Sequence, residues 1–184
     1  MPTALITGAA GQDGILLSQM LVADGYEVVG LIKPGTAGSQ LHSYAAPVRT
    51  LDCDLADSEQ FGRVLANVRP DEIYNLGGVS SIVESVNHPE MTHRVNVGAV
   101  ETILRAMETH LPGARFVQAA SGTIFEGSDT APQDESTPQS PQTPYAQAKA
   151  ETMELIADAR LRSGIHASAA ILFNHESPLR GRLI

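Results

Sequence analysis

An apolar run, a glycine-rich turn and a second apolar run open the chain: Ala4-Leu5-Ile6-Thr7, then Gly8-Ala9-Ala10-Gly11-Gln12-Asp13-Gly14, then Ile15-Leu16-Leu17. The first run favours a buried strand, and the second favours a helix. The glycines between them are spaced G-x-x-G-x-x-G, and a dinucleotide-binding turn requires this context after a strand and before a helix. A plain strand-to-helix turn is the alternative interpretation.

Each glycine of the turn has a physical reason to be there. Gly8 allows a sharp turn at positive φ. Gly11 leaves bare backbone for a pyrophosphate to approach, and Gly14 lets the helix lie close to the strand. The helix N-terminus adds N–H groups and a partial positive charge that suit phosphates. The motif therefore predicts a dinucleotide site.

Length and composition narrow the class of protein. The 184 residues, 42% hydrophobic and 18% charged, are typical of one globular domain, here residues 1–184. A net charge of −9 argues against a nucleic-acid partner, which would need a basic face. Cys53 is the only cysteine, and no apolar run reaches membrane-spanning length. We therefore expect a cytoplasmic protein without membrane or nucleic-acid partners, and the scattered histidines predict no metal site.

Strand and helix patterns alternate along the whole chain. Strands are predicted at 27–32, 48–52, 72–76, 115–119 and 166–173, and helices at 15–24, 58–68, 95–108 and 145–162. This order predicts an α/β fold of the Rossmann type, a doubly wound, mainly parallel sheet with helices on both faces. Loops are predicted at 34–47 and 127–143, the second over the site.

Two residues that follow predicted strands bear on the cofactor. Lys33 stands where an acidic residue would bind a free ribose 2′-hydroxyl, and a cation there favours the 2′-phosphate of NADP over NAD. An exposed loop lysine is the alternative interpretation. Asp54 follows strand 48–52, where an adenine ring would lie in such a fold, and it could equally cap the next helix.

A tyrosine and a lysine share one face of the helix predicted at 145–162. Tyr145 and Lys149 are four residues apart. An ammonium about 5 Å away would lower the phenol pKa by about two units, which brings proton transfer to an alcohol or carbonyl oxygen within reach. Ser121 follows strand 115–119 and could hydrogen-bond the same oxygen. Such a spacing is common on surface helices, and the glycine turn together with Ser121 strengthens the catalytic interpretation.

With these motifs the chain resembles the extended short-chain dehydrogenase/reductases, and within them the GDP-mannose 4,6-dehydratases. The resemblance covers the whole chain. Its motifs are residues 4–14, Glu-Ile-Tyr-Asn-Leu-Gly at 72–77, Tyr-Ala-Gln-Ala-Lys at 145–149 and Leu-Phe-Asn-His-Glu-Ser-Pro at 172–178. The last motif is the most specific, and its continuation departs from the family pattern only at Leu179.

The resemblance implies a set of site residues. Cofactor contacts are implied for Gly8, Ala9, Ala10, Gly11, Gln12, Asp13, Gly14, Lys33, Asp54, Leu55, Leu76, Gly77, Gly78, Val79, Ser80, Tyr145, Lys149, His175 and Arg180. Ser121, Tyr145 and Lys149 are implied as catalytic, and Asn174 as substrate-binding. Arg94 is a further candidate for a phosphate contact. The implied reaction moves a hydride from C4 of a GDP-linked hexose to NADP, eliminates water across C5 and C6, and returns the hydride to C6.

The sequence departs from the family pattern at the base for elimination. An ungapped count from Tyr145 places Thr123 on the family glutamate, and a shift by one residue places Ile124 there. Neither side chain can take a proton from carbon. Glu126 is near in sequence, but on a strand-like path it would point elsewhere. Met91 stands where the family has a tyrosine that contacts the cofactor.

Length is the second departure. The family continues into a smaller C-terminal substrate domain, which is largely absent here, so the chain is either part of a longer protein or a short homologue. The leading hypothesis is an NADP-dependent dehydratase that acts on a GDP-linked hexose. The alternatives are a nucleotide-sugar reductase or epimerase of the same family, or a cofactor-binding module without turnover. The resemblance also makes a homo-oligomer plausible.

Overall fold

A computed structural model of the chain describes residues 1–35 and 48–179. The strands are β1 Thr3–Thr7, β2 Glu27–Ile32, β3 Arg49–Asp52, β4 Glu72–Asn75, β5 Arg115–Ser121 and β6 His166–Leu172. The helices are α1 Gln12–Ala23, α2 Ser58–Val68, α3 Ile82–Asn87, α4 Pro89–Thr109 and α5 Pro144–Ser163, with a 3-10 helix at Gly122–Phe125. Most of the predicted loop at 34–47 lies outside the described residues.

The described strands form one parallel sheet in the order β3-β2-β1-β4-β5-β6. The chain leaves β1 in one direction to β2 and β3, and returns to the other side of β1 for β4, β5 and β6. In open sheets of this kind, ligands bind beyond the carboxyl ends of the strands where the order reverses, here between β1 and β4. The predicted Rossmann-type, doubly wound sheet is confirmed.

Two apolar layers hold helices against the two faces of the sheet. The larger packs Leu5, Ile73 and Phe116 of the sheet against α2, α4 and α5. The smaller packs Ile6 and other residues of β1 and β2 against α1. A fully buried side chain of this size contributes about 1.5–3 kcal/mol to the stability of the fold. The two layers therefore hold the sheet and its helices together, including the strand ends at the site.

Several element boundaries differ from the sequence-based prediction. Helix α1 begins at Gln12 rather than at residue 15, because Gly11 has the extended conformation of an N-cap and Asp13 suits the first turn. Helix α4 begins six residues earlier than predicted, with Pro89 in its first turn, where proline costs no hydrogen bond. The short helix α3 was not predicted. Strand β5 includes Ser121, which is therefore its last residue.

The described residues include neither a membrane-spanning helix nor a cluster of metal ligands. None of the helices is long and apolar enough to cross a bilayer. Within residues 1–35 and 48–179, no cluster of three or more His, Cys, Asp or Glu side chains is arranged to hold a metal ion.

Candidate active site

The glycine-rich turn brings the backbone between β1 and α1 against the end of β4. Gly8 has φ of +67°, and a Cβ on it would lie 2.8 Å from the Gly77 Cα. A Cβ on Gly14 would lie 2.7 Å from the Ala9 Cα. Both distances are too short for a side chain, so the turn is a cradle of bare backbone. It has the shape that a pyrophosphate needs at a helix N-terminus.

A cavity of about 490 Å³ opens beside this cradle at the switch point of the sheet. Its size is that of a small-molecule site. Ten of the cofactor residues predicted from the sequence line it: Gly8, Gly11, Lys33, Asp54, Leu55, Leu76, Gly77, Gly78, Val79 and Ser80. Residues from the ends of β1, β2, β3 and β4 thus meet at one place, and this arrangement fits an extended dinucleotide.

The remaining predicted cofactor residues do not line this cavity. Ala9, Ala10, Gln12, Asp13 and Gly14 belong to the turn and the first turn of α1, where Ala9 is buried. Tyr145 and Lys149 lie on α5.

The C-terminal motif returns to the glycine turn. The imidazole Nε2 of His175 lies 2.9 Å from Oδ1 of Asp13, and its Nδ1 lies 2.8 Å from the Phe173 carbonyl oxygen. This contact places residues 162 positions apart side by side. Asn174 is exposed, and Arg180 lies outside the described residues.

Some residues that line the cavity were not among the cofactor contacts predicted from the sequence. Cys53 and Glu84 were not predicted, whereas Arg94 and Met91 had been singled out and do line the cavity. The cavity therefore has the cations of Lys33 and Arg94 and the carboxylates of Asp54 and Glu84 at its wall. Their positions relative to one another depend on pairing between distant strands and helices, which the sequence does not display.

Asn96 of α4 fixes the backbone that follows β4. Its Oδ1 accepts from the Val79 N–H at 2.8 Å, and its Nδ2 donates to the Val79 carbonyl oxygen at 3.0 Å. Asn96 is buried, and a Cβ on Gly78 would collide with it. The residue was missed because a polar residue within a helix pattern gives no sign of a partner 17 positions away.

The cap of α2 differs from the prediction for Asp54. Asp57, and not Asp54, caps the helix, because its carboxylate accepts from the Gln60 N–H at 2.9 Å. The Asp54 carboxylate instead accepts from the Ala56 N–H at 2.9 Å, which shapes the turn after β3. The Asp54 side chain therefore lies at the cavity wall and does not cap α2.

Ser121, Tyr145 and Lys149 meet where β5 ends against α5. Lys149 is buried, and its Nζ donates to the Ala119 carbonyl oxygen at 2.6 Å. The same Nζ lies 5.7 Å from the centroid of the Tyr145 ring. Ser121 is near enough to the Tyr145 phenol to lower its pKa. The structure thus brings the three predicted catalytic residues together.

The electrostatics of this group differ from the sequence-based prediction. Burial raises the pKa of Tyr145, and the neighbouring Ser121 side chain opposes that rise. Burial also lowers the pKa of Lys149 to about 8. The predicted net lowering of the phenol pKa is not found, because burial of Tyr145 outweighs the lowering influences on it.

The 3-10 helix gives Thr123 and Ile124 different surroundings. Ile124 is fully buried and packs with Phe125 and Ala150. Thr123 faces the site, since its Oγ1 lies 3.0 Å and its N–H nitrogen 3.3 Å from the Ser121 Oγ. Of the two residues, Thr123 therefore contacts Ser121, whereas Ile124 belongs to the apolar core.

Glu126 does not follow the strand-like path that the sequence suggested. Its N–H donates to the Thr123 carbonyl oxygen at 3.1 Å and closes the 3-10 helix. Its carboxylate accepts from the hydroxyl of Thr143, the N-cap of α5, at 3.3 Å. The carboxylate thus binds the cap of α5 rather than Ser121.

A parallel sheet of this order with a glycine cradle at its switch point is a Rossmann domain. The tyrosine and lysine beside the end of β5 place it among the short-chain dehydrogenase/reductases of the epimerase/dehydratase type. Residues 5–184 match the family model described as GDP-mannose 4,6 dehydratase, and the chain belongs to that family.

Two relatives show the extent of the match. The GDP-mannose 4,6-dehydratase of Vibrio cholerae is 38% identical over 97% of this chain and 51% of its own length. The GDP-mannose 4,6 dehydratase of Homo sapiens is 34% identical over 97% of this chain and 51% of its own length. The chain thus spans about half the length of the curated relatives it matches.

Solved structures agree on the fold. The UDP-glucose 4-epimerase of Brucella ovis, in complex with NAD, superimposes with a TM-score of 0.83 at 23% identity, over 95% of this chain and 52% of that one. The UDP-glucose 4-epimerase of Thermus thermophilus, also in complex with NAD, gives 0.80 at 25% identity, over 91% and 53%. The predicted family and fold are both confirmed.

Proposed function

We propose that this chain is the cofactor domain, over residues 1–184, of an NADP-dependent enzyme that acts on a GDP-linked hexose, with the reaction type of GDP-mannose 4,6-dehydratase. The observation that carries the proposal is the meeting of Ser121, Tyr145 and Lys149 at the end of β5, next to the strand ends that line the cavity. Family membership supplies the substrate class.

The residues of this chain would handle the proton of the first step. A bound nicotinamide would supply the hydride acceptor. Tyr145, as phenolate, takes the proton of the O4 hydroxyl when C4 gives up its hydride, and Ser121 donates a hydrogen bond to the same oxygen. Lys149 offers a positive charge beneath the phenol, at 5.7 Å from its ring centroid.

NADP is favoured over NAD by the residue that follows β2. Lys33 is exposed at the wall of the cavity, directly after the last residue of the strand. In this fold an acidic residue at the same place would hold a 2′-hydroxyl, and a cation suits a 2′-phosphate. Calorimetric titration of the protein with NADP and with NAD tests this part, and tighter binding of NAD would contradict it.

A reductase or epimerase of the same family is the second candidate, and Thr123 favours it. Elimination needs a base that can remove a proton from carbon, and a hydroxyl with an ordinary pKa cannot do this at neutral pH. Thr123 holds that position and binds Ser121. Hydride transfer at C4 needs only Ser121, Tyr145 and Lys149 and is common to both candidates.

Incubation of the purified protein with GDP-mannose and NADP separates the candidates. A 4-keto product that has lost one water supports dehydration. Oxidation of NADPH by an added GDP-4-keto hexose supports reduction. Binding of NADPH with neither reaction contradicts the proposal and leaves a cofactor-binding module. The proposal further includes a cytoplasmic location. It also includes self-association, and gel filtration combined with light scattering tests that part.

A further inference from the structure

A line of buried polar side chains crosses the sheet from β1 to β5. Thr7, Asn75 and Gln118 are the members, one from each of the neighbouring strands β1, β4 and β5, and each is 1% exposed or less. They lie in the layer that α2, α4 and α5 otherwise fill with apolar side chains. Buried polar groups in such a layer are costly unless each is hydrogen-bonded.

Each member is hydrogen-bonded to the next. The Gly77 N–H donates to the Thr7 Oγ1 at 2.9 Å, and the Thr7 hydroxyl donates to the Asn75 Oδ1 at 2.6 Å. The Asn75 Nδ2 donates to the Gln118 Oε1 at 2.7 Å, and the Gln118 Nε2 donates to the Ala119 carbonyl oxygen at 2.9 Å. We call this series, from Gly77 to the Ala119 carbonyl, the polar chain.

The direction of the polar chain follows from its two ends. A carbonyl oxygen can only accept, so the amide nitrogen of Gln118 must face Ala119 and its oxygen must face Asn75. That oxygen requires the Asn75 nitrogen, which leaves the Asn75 oxygen for the Thr7 hydroxyl. The Thr7 oxygen in turn accepts from the Gly77 N–H. Every donor therefore points the same way.

The polar chain ends on the oxygen that holds Lys149. The Ala119 carbonyl accepts from the Lys149 Nζ at 2.6 Å as well as from Gln118. Its other end, the Gly77 N–H, belongs to the backbone that lines the cavity. Hydrogen bonds in series polarise one another in a low-dielectric interior, by roughly 10–30% per bond.

We propose that the polar chain couples the cofactor turn to Lys149, because its last donor, the Gln118 amide, shares the Ala119 carbonyl oxygen with the Lys149 ammonium and competes with it. Thr7, Asn75 and Gln118 are positioning residues, since they act through Ala119 and not on a substrate. The coupling rests on the proposed function only for the catalytic role of Lys149.

One titratable side chain of α5 lies close to Lys149. The titratable group beside it is the Tyr145 phenol, on its own helix. Glu151 of α5 pairs with His93 of α4 at 3.0 Å, and both side chains are largely exposed, so this pair lies on the outer side of the helices. Burial is the cause that lowers the pKa of Lys149. The carbonyl of Ala119 is therefore the contact through which its charge is stabilised.

Carbon NMR of the lysine Cε atoms tests the coupling without substrate or cofactor. The sequence contains two lysines, Lys33 and Lys149, so the exposed Lys33 is an internal reference. Thr7→Val removes the hydroxyl with little change in volume, Thr7→Ser restores it, and Thr102→Val removes a buried hydroxyl that binds Gly98 elsewhere.

We expect the pKa of Lys149 to rise by a few tenths of a pH unit in Thr7→Val, because a weaker Gln118 donor competes less for the Ala119 oxygen, and not in Thr7→Ser or Thr102→Val. Repeating the titration in a Tyr145→Phe background removes the neighbouring phenol from the readout. An unchanged Lys149 titration in Thr7→Val would overturn the coupling.

Should Thr7→Val fail to fold, Gln118→Met, which removes the last donor, carries the same expectation and the same contrary outcome. Absence of turnover in the unaltered protein contradicts the proposed function and leaves this measurement intact.

Discussion

Tyr145 is subject to two opposing influences. Burial favours its neutral form, whereas the neighbouring Ser121 side chain favours the phenolate. The Lys149 ammonium is held at the Ala119 carbonyl, 5.7 Å from the ring centroid, and the net pKa of the phenol is raised by burial rather than lowered. At the level of the single residue, the proximity of Ser121, Tyr145 and Lys149 agrees with the sequence pattern, but their electrostatics depend on burial, which the pattern does not report.

Tyr145→Phe removes the proton-transferring atom and keeps the ring. We expect turnover with a GDP-linked hexose to fall by about 10²–10⁴-fold, the usual contribution of a positioned acid or base. Dinucleotide affinity should stay nearly constant, because the cradle of bare backbone is untouched. Tyr26→Phe is the matched control, since it removes the same atom at the opposite end of the strands. Equal turnover in Tyr145→Phe and the unaltered protein would refute the catalytic assignment.

Thr123→Glu places a carboxylate at the position that faces Ser121. We expect the fraction of product that has lost water to rise above that of the unaltered protein, because a positioned base contributes about 10²–10⁴-fold to proton removal. Thr123→Gln matches the size without the basic oxygen and should show no such rise. Mass spectrometry of the nucleotide-sugar products measures the fraction. Equal elimination by the two variants would show that position 123 does not control the reaction.

At the scale of the element, the glycine turn and α1 act as one unit. Gly14 lies within the first turn of α1, and a side chain there would meet the Ala9 backbone at 2.7 Å. Backbone cannot yield as a flexible side chain can, so the helix would have to move away from β1 and the cradle would open.

Gly14→Ala should therefore weaken dinucleotide binding by roughly tenfold or more and destabilise the fold by about 1–3 kcal/mol, as overpacking does. Gly98→Ala is the matched control. It is also a helical glycine, but a Cβ there meets nothing within 4 Å, so we expect unchanged binding and a gain of about 0.5–1 kcal/mol from helix propensity. Calorimetry and urea unfolding measure the two effects. Normal affinity in Gly14→Ala would contradict the close-packing argument.

The elements differ in how well the sequence predicted them. Long periodic segments such as α2 agree with the prediction at both ends, and every strand was expected near its observed place. The six-residue α3 and the four-residue 3-10 helix were missed, because they are too short to show a period. Thr7 and Gln118 look like ordinary strand residues in the sequence, and their roles depend on partners from other strands. The cavity wall was largely predicted, because its residues follow strand ends, which parallel strands bring to one edge.

At the scale of the whole molecule, the amino ends of the strands have a polar cluster of their own. The Glu72 carboxylate accepts from the Tyr26 phenol at 3.1 Å and from the Tyr74 phenol at 2.5 Å, and it pairs with the Arg115 guanidinium. Burial acts to raise the pKa of Glu72, but the bonds from the two phenols and from Arg115 outweigh it and lower the pKa below its usual value. The cluster joins β4 and β5 to the turn before β2.

Glu72→Gln should destabilise the protein by about 1–3 kcal/mol at neutral pH, because it removes the ion pair and weakens acceptance from two phenols. The pKa of Glu72 is lower in the folded protein than in the unfolded chain. The ionised carboxylate therefore stabilises the fold fully at pH values above its unfolded pKa, and this stabilisation is lost as the pH falls through its folded pKa. The difference in unfolding free energy between the unaltered protein and Glu72→Gln should therefore disappear on acidification. Urea unfolding at several pH values measures it, with the exposed surface pair variant Glu59→Gln as control. A gap that stays constant down to acidic pH would contradict the ionised role of Glu72.

The position of β1 in the middle of the sheet has a consequence for biosynthesis. During translation β1 emerges before its two neighbours, and its second edge stays open until β4 has left the ribosome, since Asn75 follows Thr7 by 68 positions. An open apolar edge on a nascent chain is a template for wrong pairing. Chaperone binding to ribosome-bound chains should therefore be strongest at lengths between the exit of β2 and the exit of β4.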